Sequence, residues 1–70
     1  MSIMFTPTEN AIRGYAWYDD TGRFFLYRRL GELYLTDRQE KKLIVFPYLF
    51  SFYAWCEESG QGIPKFRQEI

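Results

Sequence analysis

The stretch from Arg23 to Leu30, RFFLYRRL, stands between two turn signals, and that arrangement constrains the chain more than any other feature. Aromatic and long apolar residues at this density favour extended backbone. On its N-terminal side, Asp19-Asp20-Thr21-Gly22 is a four-residue turn with glycine last, where positive φ is accessible. On its C-terminal side, Gly31-Glu32 fits a two-residue hairpin of type II′, which wants glycine first. Ile12 to Tyr18 then reads as a first strand, Arg23 to Leu30 as a second and Leu33 to Thr36 as a third. Asp37 to Lys42 is a solvated connection, although Thr36 and Gln39 have the spacing of a capping box that would start a helix. Pro47 disfavours α backbone at Phe46, so Lys42 to Phe46 is expected to be extended. Pro47 also suits the first turn of a helix that runs to about Ser59 and stops at Gly60. The expectation is an α+β fold, a three-stranded antiparallel β-meander packed against one C-terminal α-helix. One domain spans 1–70, with an N-terminal arm at 1–10, the meander at 12–46, the helix at 47–59 and a C-terminal tail at 60–70.

Turns set register, and register sets faces. Pairing Tyr18 with Arg23 puts Ala16 opposite Phe25 and Gly14 opposite Tyr27; pairing Leu30 with Leu33 puts Arg28 opposite Leu35. One face then carries Tyr15, Trp17, Phe24, Leu26, Leu30, Leu33 and Leu35, with Arg13 and Arg28 at one end, and reads as the core face. The other carries Tyr18, Phe25, Tyr27 and Tyr34 with Arg23, Arg29 and Thr36. The helix has a similar surplus. Leu49, Phe52, Tyr53 and Cys56 form a core stripe, whereas Phe50 and Trp55 fall outside it.

The chain has seven Phe, six Tyr and two Trp in 70 residues. A chain of that length buries only about 60% of its unfolded-chain surface, so one small core cannot enclose every ring. Tyr, Trp and Arg dominate binding hot spots. The partner-binding candidates are therefore Tyr18, Arg23, Phe25, Tyr27, Arg29 and Tyr34, with Phe50 and Trp55 as a second patch. Three coverings of the second sheet face stay open. The chain's own arms could lie on it through Ile3, Met4, Phe5, Ile63 and Phe66, a second copy could pair through it, or another macromolecule could dock there.

Catalytic readings find little support in the residues. One cysteine excludes an intrachain disulfide, and the absence of histidine removes both Cys/His zinc sets and the commonest general base. Cys56 falls on the apolar stripe with no activating imidazole. Asp19-Asp20 are turn residues, Glu57-Glu58 point apart on a helix, and Ser51 and Ser59 have no base beside them. Gly60-Gln61-Gly62 is a helix stop rather than a phosphate loop. No catalytic, cofactor-binding or metal-binding residues are expected. Nine basic and nine acidic residues argue against a grip on nucleic acid by charge alone. The apolar run from Leu43 to Cys56 contains a proline and falls short of the ~20 residues that span a bilayer. With no secretory signal at Met1 to Pro7, a cytoplasmic protein is expected.

The stretch Gly22 to Leu35, GRFFLYRRLGELYL, resembles the central hairpin of the CedA family of small bacterial cell-division activators. The strand holding Trp17, and Pro47 followed by Tyr53-Ala54, follow the same pattern, so the resemblance covers about residues 14–54. It implies a three-stranded sheet with one C-terminal helix, and RNA polymerase and double-stranded DNA as partners. The connection from Thr36 to Phe46 is longer here, the helix more apolar, and the N-terminal arm lacks basic residues. The combined expectation is a small non-catalytic regulator of RNA polymerase or another nucleic-acid enzyme, acting by occlusion or bridging. The alternatives are a phage-type inhibitor of a host enzyme or defence complex, and a nucleic-acid module that stacks bases on its aromatic and arginine face.

Overall fold

The computed structural model describes residues 2–8 and 16–67, and within them the sheet has six strands rather than three. The strands are β1 (Met4–Pro7), β2 (Ala16–Asp19), β3 (Phe24–Arg29), β4 (Glu32–Asp37), β5 (Lys42–Phe46) and β6 (Lys65–Phe66), with one helix, α1 (Leu49–Glu58), before the last. The spatial order is β5-β4-β3-β2-β1-β6. Neighbours run antiparallel except β1 and β6, which are parallel. The architecture is α+β, but the expected meander is only its middle. Both arms belong to the sheet: Phe5 pairs with Asp19 across β1–β2 and with Phe66 across β1–β6.

The turns correct the expected register. The β3–β4 hairpin turns on Leu30 (φ 52°) and Gly31 (φ 81°), two positive-φ residues as type I′ requires, rather than on Gly31 and Glu32. Arg28 therefore faces Leu33 and Tyr27 faces Tyr34. Across β2–β3, Tyr18 faces Phe25 and Ala16 faces Tyr27. Each register moves by two residues, which preserves the faces because side chains alternate with period two. Leu30 is the exception. At the hairpin tip it is 90% exposed and contributes nothing to the core face.

Two buried carboxylates hold the other turns. Asp19 accepts the Phe24 N–H at 2.7 Å through Oδ1, and the N–H and hydroxyl of Thr21 through Oδ2. Asp37 Oδ1 accepts the N–H groups of Gln39 (3.0 Å) and Glu40 (3.2 Å), closing the β4–β5 loop, where Lys41 takes φ 56°. The capping-box alternative at Thr36 gives way to this loop. Arg23 clamps Asp37 bidentately, Nε to Oδ1 at 3.0 Å and Nη2 to Oδ2 at 2.9 Å, with its guanidinium 4.7 Å from the Phe24 ring centre.

Pro47 lies before the N-cap, Tyr48, instead of inside the helix. Gly60 ends the helix as expected, with φ 83°. Its N–H donates to Glu57 and that of Gln61 donates to Cys56, the pair of bonds that defines a Schellman stop. The helix lays Phe52 and Cys56, both fully buried, on one face of the sheet. Phe52 sits between Phe5 (5.7 Å) and Phe46 (5.5 Å) in edge-on contacts, and Leu26, Leu33 and Leu35 complete the floor. Residues 11–15, and with them the expected positions of Arg13, Gly14 and Tyr15, lie outside the described residues.

The hydrogen bonds from Arg23 hold the Asp37 carboxyl below its ordinary value of 3.8, against burial, which pushes it up; the Glu40 and Gln39 N–H groups add to the lowering. A carboxyl lowered by folding contributes stability fully above its unfolded value and loses it as pH falls through the folded one. Asp37→Ala is therefore expected to cost about 2 kcal/mol at neutral pH. It should also flatten the loss of stability below about pH 4, as measured by urea titration across pH. Leu30→Asn should stabilise the protein by about 0.5–1 kcal/mol, read as a higher urea midpoint with unchanged slope, because Asn tolerates the left-handed backbone that leucine resists.

Candidate interaction surface

Strand pairing assembles the face opposite the helix row by row. Tyr18, Phe25, Thr36 and Leu43 form one row; Ala16, Tyr27, Tyr34 and Val45 form the next; Arg29 and Glu32 pair beyond them. The Tyr27 and Tyr34 rings stack at 5.1 Å and 9°, and Phe25 lies 5.8 Å from Tyr27. The Tyr34 hydroxyl donates to Glu32 Oε1 at 3.3 Å. Desolvation within the stack raises the Tyr34 phenol above its ordinary value, the Glu32 carboxylate adds to this, and the nearby Arg29 charge opposes it. Among the described residues no element packs across these rows. Tyr18 (46% exposed), Leu43 (52%) and Val45 (45%) remain open to solvent.

Of the residues expected here, Tyr18, Phe25, Tyr27, Arg29 and Tyr34 share this face. Two do not belong to an open patch. Arg23 is committed to Asp37, because a buried carboxylate at the strand end needs a charged partner more than the open face does. Trp55 packs edge-on against Phe24 at 5.6 Å and beside Phe46 at 6.1 Å, in contact with the core cluster. Phe50 is 69% exposed, but its companion is Tyr48, stacked on it at 5.2 Å and 6°.

Of the arm residues expected to cover the open face, only Met4 falls on its side, by alternation with Thr6 opposite Tyr18. Ile3, Phe5 and Phe66 join the core cluster under the helix, and Ile63 points to solvent. Leu43 and Val45 extend the face and were not anticipated. Their strand, KLIVF, is apolar at nearly every position, so alternation could not reveal which side chains face out. The loop held by Asp37 carries that information, since it places Thr36 opposite Leu43.

The charged groups beside the largest cleft among the described residues are spent on the fold. A cleft of about 480 Å³ runs beside Ile3, Asp19, Asp20, Arg23 and Gln61. Asp19 holds the turn, Arg23 holds Asp37, and Asp20 pairs with Arg67 at 3.1 Å. Among the described residues, no helix is long and apolar enough to cross a membrane.

Burial pushes the Cys56 thiol up to about 12, far from thiolate chemistry at neutral pH. A disulfide reagent should leave the native protein unlabelled over hours and label one thiol on unfolding; rapid native labelling would contradict the packing of α1. Comparison of the chain with family models, with curated proteins and with solved structures finds no match.

Proposed function

We propose that this protein is a non-catalytic regulator that docks on a larger protein assembly through the open face of Tyr18, Phe25, Tyr27, Arg29 and Tyr34. The observation that carries this reading is the stacked Tyr27–Tyr34 pair on a sheet face with no covering element among the described residues. Rings already held in a stack lose little freedom on binding, so their burial converts efficiently to affinity. The resemblance of Gly22 to Leu35 to the CedA hairpin directs the choice of assembly to RNA polymerase or another nucleic-acid enzyme.

Size and charge sharpen the mode of binding. Four strands and about four residue steps give these rows a footprint of roughly 200 Å². A standard interface buries about 800 Å² on each partner. The face is thus an anchor, and the complete contact extends beyond it. Arg29 stands opposite Glu32 in a chain of zero net charge, so phosphate attraction is not what leads binding.

Direct binding to purified RNA polymerase tests the proposal. The Tyr27→Ala/Arg29→Ala variant should bind about thirtyfold more weakly, the ~2 kcal/mol expected of a hot-spot pair. Raising salt from low to physiological should change wild-type affinity only a fewfold. No binding, or equal binding by the variant, rejects the proposal. Tight binding to DNA or RNA that collapses with salt would support the nucleic-acid reading instead.

A further inference from the structure

β5 closes one side of the sheet, and among the described residues its only strand neighbour is β4. Such an edge presents a row of backbone N–H and C=O groups to any chain able to pair with them, and natural proteins usually blunt it with charges, prolines or bulges. Here Leu43, Ile44, Val45 and Phe46 run without interruption, with a charge only at Lys42 and a proline only at Pro47, past the end. The same region concentrates apolar exposure. Of eight exposed large apolar side chains among the described residues, Leu43, Val45, Tyr48, Leu49 and Phe50 fall within it. The opposite edge, β6, is two residues long and offers far less.

We propose that β5 pairs antiparallel with β5 of a second copy of this chain, about a two-fold axis through Ile44, joining two six-stranded sheets into one. A two-fold interface must be self-complementary, and this strand is. Leu43 meets Val45 of the second copy on the open face, and Val45 meets Leu43, two apolar cross-strand pairs from one symmetry operation. Lys42 meets Phe46 of the second copy, so no charge faces a like charge; a parallel arrangement would set lysine beside lysine. The ends complement each other as well. The stacked, exposed Tyr48 and Phe50 follow one end of the strand, and Lys41 and Lys42 stand at the other. Antiparallel pairing brings the rings of each copy to the ammonium groups of the other, where cation–π attraction favours contact. A foreign extended peptide could satisfy the backbone of β5, but the second copy brings both halves of this match with it.

The pairing also continues the open face. The row Ala16–Tyr27–Tyr34–Val45 runs on into the Leu43–Thr36–Phe25–Tyr18 row of the second copy. The dimer leaves that face uncovered and does not depend on the regulatory reading above.

Sedimentation of the full chain from low micromolar to near-millimolar concentration provides the test, with circular dichroism to establish that each variant is folded. Wild type should move from one to two chain masses as concentration rises. Leu43→Lys/Val45→Lys sets lysine opposite lysine twice and should raise the dimer dissociation constant roughly tenfold or more. Leu43→Lys/Val45→Glu sets opposite charges against each other and should restore most of the loss. Tyr27→Ala/Arg29→Ala should dimerise like wild type. A wild type that stays one chain in mass overturns the proposal, as does dimerisation insensitive to both edge variants. Failure of the charge swap to restore pairing overturns the register, and loss of the dimer in the Tyr27→Ala/Arg29→Ala variant moves the interface to the open face. Should an edge variant not fold, hydrogen exchange on wild type decides: the amides of Leu43 and Val45, which the alternation of the ladder turns away from β4, must gain protection with concentration.

Discussion

Among the described residues, one short helix must serve a sheet with two faces. Ten residues of α1 make about 15 Å of helix, whereas six strands span roughly 24 Å between the outermost axes. The helix therefore covers the middle of one face and none of the other. Phe52 and Cys56 reach the sheet at its centre, and the surrounding rings of Phe5, Phe24, Phe46, Trp55 and Phe66 fill the flanks. An aromatic core suits this geometry, because large flat side chains reach outward where the helix backbone does not. The opposite face keeps Tyr18, Phe25, Tyr27 and Tyr34 half open for the same reason.

What makes the division between faces definite is register, and register depends on two carboxylates removed from water. Asp19 and Asp37 are 3% and 1% exposed, burial that is tolerable only because each is fully occupied. Asp19 draws the Thr21 and Phe24 N–H groups together, and Asp37 does the same for Gln39 and Glu40 while Arg23 neutralises it. A slip of one residue in either strand pair would turn a leucine floor outward and a tyrosine row inward. The polar turns thus enforce the apolar sorting.

The parts legible in the sequence are those decided over a few residues. The hairpin of β3 and β4, the extended stretch before Pro47 and the glycine stop at Gly60 follow from turn chemistry and local stiffness. β1 and β6 were not legible. Four residues containing Pro7, and two residues after Pro64, have no strand signal of their own and become strands only by pairing with each other and with β2. Leu30 misled for a related reason. Nothing local favours a leucine at positive φ, but a type I′ turn follows the twist of the strands it joins, and the hairpin accepts the strain. Arg23 and Trp55 looked like surface residues because their partners, Asp37, Phe24 and Phe46, are distant in sequence or depend on how the helix is rotated.

By itself the sequence determined that there are more rings than one small core can hold, that no histidine or cysteine pair stands ready for chemistry, and that a two-turn aromatic hairpin lies at the centre. Composition and short-range backbone preference suffice for statements of that kind. Tertiary structure alone decided which rings are surplus: Trp55 goes in, Tyr48 and Phe50 stay out, and Leu43 and Val45 join the open face and its exposed edge. Burial of a side chain is a property of what packs against it, and in this protein those neighbours come from strands and a helix far apart along the chain.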